Sequence, residues 1–317
     1  MPSEKPFVHL HVHSSYSLQD STVKVKGGVK RAKKLGMPGL ALTDHGVLHG
    51  AVNFFNACRD AEIKPIIGCE LYTCADRHKK SSRDRTMHHL LLLAKDEQGY
   101  HNLARLSSMG MLEGFYYKPR VDLELLEQYS EGLIATSCCE RGEIPQAILN
   151  GHLEEAEACA GRFQEIYGKG NFYLELEDHG KDSEKTVCKE LIAMSKRLDI
   201  PLVATNDVHY LDRKHAEAHD LLLALQSQAK VADEQRIRFQ GDQYYFKTAE
   251  EMWELFGEVP EALTNTMEIF EACNLHLKLE KEADLHFPIY PLPEAYHDDN
   301  AYLTHLAVEG IKELYDG

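Results

Sequence analysis

The sequence predicts an α/β fold in which about seven strands curl into a small, irregular barrel. Strand-like and helical patterns alternate along most of the chain, and most of the strand-like runs are rich in apolar residues, as in a largely buried parallel sheet. One link departs from this rhythm: residues 75–87 form a polar, basic loop between two strands with no helix. The first two features indicate a largely parallel sheet, and the third makes its closure irregular. A chain of 317 residues, 43% hydrophobic, accommodates such a barrel of roughly 250 residues with an appendage.

The elements follow in order. Residues 7–13 alternate with period two, which sets Phe7, His9, His11 and His13 on one face of a first strand and Val8, Leu10 and Val12 on the other. Ser21 and Thr22 can cap a lysine-rich helix running to Leu35, weakened at Gly27 and Gly28 and ended by Gly36. A short buried strand over 38–43 leads into Asp44, His45 and Gly46, and a helix returns over 48–60. Further strands are expected at 64–72, 88–94, 132–137, 171–177 and 201–207. Helices are expected at 97–112, 142–167 and 182–197, then at 212–228, 248–256 and 259–273 after the last strand. From about Ala283 the pattern weakens into a linker with Pro288, Pro291 and Pro293, before an amphipathic segment from Asn300 to Tyr315. The expected division is therefore 1–282 and 283–317.

Composition excludes several classes. No apolar run approaches the ~18 to 20 residues of a membrane span and the N-terminus lacks a signal-peptide stretch, so a soluble, cytoplasmic protein with no membrane partner is expected. Eight cysteines scattered through apparent core elements read as reduced thiols, one of which can serve as a ligand. A net charge of −16 argues against a surface coated for nucleic acid but leaves room for a local basic groove.

In a (β/α) barrel, chemistry sits where the C-terminal ends of strands converge. Taking each expected strand in turn gives His11, His13 and nearby Asp20; His45; Glu70; His88 and His89; Cys138 and Cys139; and Asp207 with His209. Histidines buried on one face are costly unless their nitrogens are used, either by core partners or by a divalent metal. A mixture of imidazole, carboxylate and thiolate suits zinc, manganese or iron, and it exceeds the capacity of one ion. Two or three ions close together favour phosphoester cleavage, because they lower the pKa of a bridging water and clamp attacking and leaving oxygens.

The stretches His11-x-His13, Thr43 to Gly46, Glu70 and Asn206 to His209 resemble the polymerase and histidinol phosphatase (PHP) superfamily. The resemblance is closer still to the N-terminal PHP domains of the bacterial C-family replicative polymerases, the DNA polymerase III alpha subunits. It rests on His9 to Ser17, Gly114 to Arg120, Ala204 to Tyr210, Arg238 to Leu255 and Phe287 to Tyr315, and so covers essentially the whole chain.

This resemblance implies a distorted (β/α)7 TIM-like barrel with a C-terminal helical extension and a trinuclear divalent metal site. The positions matching the family's ligands are His11, His13, Asp20, His45, Glu70, His89, Cys139, Asp207 and His209. Glu70 is expected to bridge, and Glu70, Asp207 and His209 to be catalytic. His9, His88 and Cys138 are assigned to packing or supporting roles. The activity implied is a metal-dependent 3'-5' exonuclease, a proofreading hydrolase acting on DNA 3' ends within a DNA-directed DNA polymerase, with the rest of that chain and replisome subunits as partners. Two alternatives share the ligand set: a small-molecule phosphatase of the histidinol phosphatase type, and a non-catalytic, metal-stabilised docking domain. The basic loop from Arg77 to Arg85, with Arg83 and Arg85, should overhang the metal mouth, and Tyr116, Tyr117 and Arg120 combine aromatic faces with a cation as single-strand binders do.

Overall fold

The computed structural model describes residues 5–279 and 289–315, and the chain divides into two compact units, 1–277 and 278–317. The expected boundary at 282/283 and Pro288 lie outside the described residues.

In the first unit seven strands form one sheet. They are β1 (Gly39–Leu42), β2 (Lys64–Thr73), β3 (His88–Ala94), β4 (Arg120–Val121), β5 (Leu133–Thr136), β6 (Phe172–Leu176) and β7 (Leu202–Ala204). The order is β1-β2-β3-β5-β6-β7, with β4 alongside the end of β2. All neighbours are parallel except β3, which runs antiparallel to both β2 and β5. That reversal is what the link at 75–87 produces, whose one helical feature is a short 3-10 turn at Ser82–Asp84. A connection without a crossover helix returns the chain as a hairpin rather than as a parallel strand.

The two edges of the sheet are joined by the N-terminal segment. The amides of Ala41 and Thr43 donate to the carbonyls of His9 and Val12, both at 2.9 Å, while His13 N donates to Val208 O at 2.9 Å and Val208 N to His11 O at 3.1 Å. The sheet thus curls into a distorted TIM-like barrel. The segment bends at His11, so the strict alternation expected over 7–13 is interrupted. Val8 and Leu10 pack in one core cluster, whereas Phe7 and Val12 pack in the other.

The smaller cluster explains how the barrel presents its chemistry. It takes one side chain from each of six strands, Ala41, Ile66, Leu93, Ile134, Tyr173 and Val203, and meets Ile269 and Phe270 of the helix Pro260–Ala272. Four residues beyond these lie His45, Glu70, Cys138, Glu177 and Asp207; from Leu93 the same step runs backwards to His89, because β3 is reversed. Side chains four apart in a strand share a face and stand about 13 Å apart. A packed apolar floor and a polar rim are therefore written into the same face of the same strands.

Helices α1 (Val25–Lys34), α2 (Ala51–Ala61), α3 (Glu97–Leu112), α4 (Leu123–Gln128), α5 (Glu143–Leu149), α6 (Leu153–Tyr167) and α7 (Asp182–Leu198) connect the strands; α8 (Ala216–Gln226), α9 (Ala249–Phe256) and α10 (Pro260–Ala272) follow them. Three expectations need correction. The single helix at 142–167 is two, α5 and α6, because Gly151 takes a left-handed φ of 77°. Helix α1 starts after Lys24 with no side-chain cap, while the Ser21 hydroxyl donates to the carbonyls of His13 (2.7 Å) and His209 (3.0 Å). The short pair β4 and α4 was not anticipated, and Asp122 caps α4 through Leu125 N. In the second unit, α11 (Asp299–Tyr315) has no buried residue among those described. No described helix is long and apolar enough to cross a membrane.

Candidate metal centre

The nine expected ligands fall in one connected cluster at the rim, with Glu70 at its middle. Glu70 Oε2 lies 2.8 Å from His45 Nδ1, 3.0 Å from His13 Nε2 and 3.5 Å from His11 Nε2. Its Oε1 lies 2.5 Å from His89 Nδ1, 3.1 Å from Cys138 Sγ and 3.6 Å from Cys139 Sγ. Asp207 Oδ1 is 3.2 Å from His13 Nε2 and 3.4 Å from both His11 Nε2 and His209 Nδ1. Asp20 Oδ2 is 2.7 Å from His45 Nε2 and 3.7 Å from His209 Nε2.

The surrounding bonds fix how the imidazoles are presented. The Ser17 hydroxyl has one hydrogen, which it donates to Asp44 Oδ1 at 2.8 Å, so at 2.9 Å it accepts from His13 Nδ1–H. The carboxylate of Glu175 accepts from His11 Nδ1–H at 2.8 Å, and the carbonyl of Asp207 accepts from His209 Nδ1–H at 2.8 Å. In the neutral rings each Nε2 is therefore a lone pair, aimed at carboxylate oxygens. His11 Nε2, His13 Nε2, His209 Nε2, His45 Nδ1, Glu70 Oε2 and Asp207 Oδ1 are all buried without a hydrogen-bond partner. Lone pairs and carboxylate oxygens converging in a buried space repel one another unless a cation lies between them. The donor set fits divalent metal.

The titration behaviour says the same. Burial would depress His11, yet the carboxylates of Asp207, Glu175 and Glu70 raise it well above its ordinary value. Burial likewise opposes Glu70, which His45, His89 and His11 nonetheless hold well below the usual carboxylate range. Asp207 is held down in the same way by His209 and His11 against its burial. Hydrogen bonding from Cys138 favours the thiolate of Cys139, with His89 assisting against burial. The cluster demands positive charge, which protons supply when metal does not.

Several contributors escaped the sequence analysis. Glu175, beyond the middle of β6, accepts from the hydroxyls of Thr136 and Thr205 as well as from His11. Glu175 and Glu177 share the alternating spacing of Asp207 and His209, a signal that could have flagged them. Asp44 gathers the amides and hydroxyls of Ser14 and Ser17 and so shapes the turn beneath His13. Cys138, assigned to packing, reaches Glu70 more closely (3.1 Å) than Cys139 does (3.6 Å). His9 does pack, with Nε2 2.8 Å from Lys247 O and its ring against Phe7 and Phe246.

A cleft of about 670 Å³ opens over the cluster and is lined by Asp20, His45, Glu70, His89, Asp207 and His209, together with the cations Arg85, Lys118 and Arg141. Arg83 is exposed but does not line it. Arg120 corrects the expectation of a nucleic-acid contact: it is fully buried, donating from Nε to Gly114 O at 3.0 Å and from Nη2 to Lys79 O at 2.9 Å. Its guanidinium ties two loops together and does not reach solvent.

A family profile described as PHP domain matches residues 9–179. The chain is similar to the DNA polymerase III subunit alpha of Treponema pallidum (43% identity over 312 residues, 98% of this chain and 26% of that protein). It is likewise similar to that of Borreliella burgdorferi (43% over 312 residues, 98% and 27%). The chain thus spans about a quarter of the length of these relatives. Among solved structures, one described as a metal-dependent phosphoesterase from Bifidobacterium adolescentis aligns with a TM-score of 0.44 at 13% identity, covering 80% of this chain and 97% of that one.

Proposed function

This chain belongs to the PHP domain family, and on that premise we propose that it is a metal-dependent phosphoesterase whose reaction is 3'-5' exonucleolytic removal of nucleotides from DNA. The observation that carries the reading is the convergence of His11, His13 and His209 lone pairs with Glu70 and Asp207 oxygens, beneath an open cleft that Glu70, Asp207 and His209 line. His11, His13, Asp20, His45, Glu70, His89, Cys139, Asp207 and His209 would hold a trinuclear set of zinc, manganese or iron, with Glu70 bridging. Such ions lower the pKa of bound water and neutralise charge on phosphoryl oxygens. The chain's own residues do the rest. Glu175 and Ser17 keep the imidazoles of His11 and His13 oriented, and Asp207 and His209, which line the cleft, would lie beside a phosphodiester bound there. Arg85, Lys118 and Arg141 bring positive charge to a phosphodiester in a chain whose net charge of −16 otherwise repels it. The similarity to DNA polymerase III alpha subunits supports a proofreading role within a DNA-directed DNA polymerase, with the remaining polymerase chain as partner.

The test is digestion of an oligonucleotide labelled at its 5' end, with manganese or zinc, by the chain and by Asp207→Ala side by side, after metal analysis of both. More than one metal equivalent and a ladder from the unaltered chain alone are expected. Equal ladders from both would reveal a contaminant. No ladder despite bound metal would overturn the exonuclease reading, and turnover of a phosphomonoester instead would favour a small-molecule phosphatase.

A further inference from the structure

We propose that Tyr117 is a stacking platform for the unpaired base of the 3'-terminal nucleotide, which makes single-stranded or frayed DNA ends the substrate of the cleft. The inference rests on the exonuclease reading and names its substrate class.

Tyr117 lines the same cleft as His45, Glu70, Asp207 and His209, yet 61% of it is exposed, so its ring is not there to fill a core. Its backbone sits at φ 62°, a left-handed conformation that a bulky side chain rarely adopts and that clusters at functional sites. The Arg85 guanidinium lies 4.9 Å from the ring centre and donates to the Tyr117 hydroxyl at 2.9 Å, and Tyr116 meets the ring edge-on at 4.7 Å. An aromatic face held beside a guanidinium is the arrangement on which single-strand binding surfaces stack bases.

The platform is tied to the chemistry by rigid links. Arg120 fastens the carbonyls of Lys79 and Gly114, and so anchors both the loop that leads to Arg85 and the loop that bears Tyr117. Next to Tyr117, the Lys118 ammonium lies 5.3 Å over the ring of Tyr72, which in turn stacks on His45 at 5.7 Å and meets His89 at 5.0 Å. Consecutive residues thus offer a ring for a base and a cation for the phosphate beside it, within reach of the metal ligands. Phe239, packed at 4.8 Å against His209, and exposed Ile237 line the same cleft and extend its apolar surface. At about 670 Å³ the cleft is of a size that takes small ligands, and a base still paired in a duplex has no free face to offer it.

The experiment measures binding, by fluorescence anisotropy, and cleavage for four DNA ends. These are a single strand, the same strand with an abasic 3'-terminal residue, a matched duplex end and a mismatched one, with a non-cleavable phosphorothioate terminal linkage in the binding arm. The metal-loaded chain is compared with Tyr117→Ala and Tyr117→Phe, whose metal content is checked. Deleting the terminal base and Tyr117→Ala should each weaken binding about 5- to 150-fold, should not add when combined, and Tyr117→Phe should restore binding. The mismatched end should be cleaved faster than the matched one. Equal cleavage of base-ended and abasic strands, or a Tyr117→Ala loss equal for both, would overturn the platform while leaving the exonuclease standing. Base-dependent binding with no cleavage of any end would leave the platform and remove the exonuclease.

Discussion

Replacing Glu175 by glutamine probes whether the proposed metal centre depends on a buried carboxylate outside the nine expected ligands. Glu175 is buried at the end of a chain of bonds: its carboxylate accepts from His11 Nδ1–H at 2.8 Å and from the hydroxyls of Thr136 and Thr205. The charge makes the His11 bond about twice as strong as a neutral one and raises the basicity of Nε2 across the ring. Glu175→Gln keeps shape and one acceptor oxygen but loses the charge, so metal affinity at His11 should fall about 10- to 100-fold, or about 1.4 to 2.7 kcal/mol. Glu175→Leu removes the acceptor altogether. It strands the Thr136 hydroxyl and leaves Thr205 and His11 only Glu177 Oε1, at 3.3 and 3.5 Å, so the metal-free protein should lose about 1 to 3 kcal/mol or more of stability as well. Zinc affinity by competition with a chromophoric chelator, beside thermal unfolding under chelation, separates the two effects. Zinc affinity within about threefold of the unaltered chain for Glu175→Gln would refute the reasoning, since Glu175 would then merely fill space.

Three further outcomes follow from the geometry. Arg120→Ala leaves the carbonyls of Gly114 and Lys79 without these donors, at about 1 to 3 kcal/mol each. Melting should fall and proteolysis at 77–85 and 114–118 should quicken with metal content unchanged; unaltered proteolysis would contradict the anchoring role. Gly46→Ala places a Cβ 2.7 Å from Pro119 Cγ at a φ of 65°, so a loss of about 2 kcal/mol or more is expected in urea unfolding, and a neutral result would show that the turn after His45 yields. The pH dependence has a definite sign. His89, which Glu70 raises to about 10 against its burial, stabilises the metal-free fold fully below about pH 6.5, and that contribution fades as pH rises through 10. Glu70 and Asp207, held low, contribute above about pH 4.5 and are lost on acidification. Metal competes with the imidazole protons, so the stability gap between zinc-loaded and chelated protein should widen from about pH 5.5 to 8.5; a constant gap would be the contrary result.

Much of this architecture was legible because its signals are local. The apolar runs from Leu90 to Ala94 and from Leu202 to Ala204 declare strands, and a link at 75–87 without a crossover helix announces an irregular closure. What the link could not show is its consequence, that β3 is reversed and brings its beginning, His89, to the rim where other strands bring their ends. Glu175 and Arg120 were misjudged or missed because burial, not residue type, decides their roles. A carboxylate near a strand end and an arginine beside tyrosines look the same in sequence whether they face solvent or carbonyls. The division of 142–167 into two helices turns on a single glycine, Gly151, whose φ only the fold reveals.

The seam where His11 and Val12 meet Val208 also orders events in time. On a ribosome the histidines emerge early, but the strand that receives them and the residues Asp207 and His209 follow about 200 positions later. At roughly 5 to 20 residues per second that is an interval of about 10 to 40 seconds. Until then His11 and His13 lack Asp207, though Ser17 and Glu70 are already made, and they are open to adventitious ions or to chaperones. Glu70, His89, Cys138 and Cys139 can come together on β2, β3 and β5 before then, but the nine expected ligands are complete only when the last strand arrives, so metal held through Asp207 and His209 would report that the barrel has been completed.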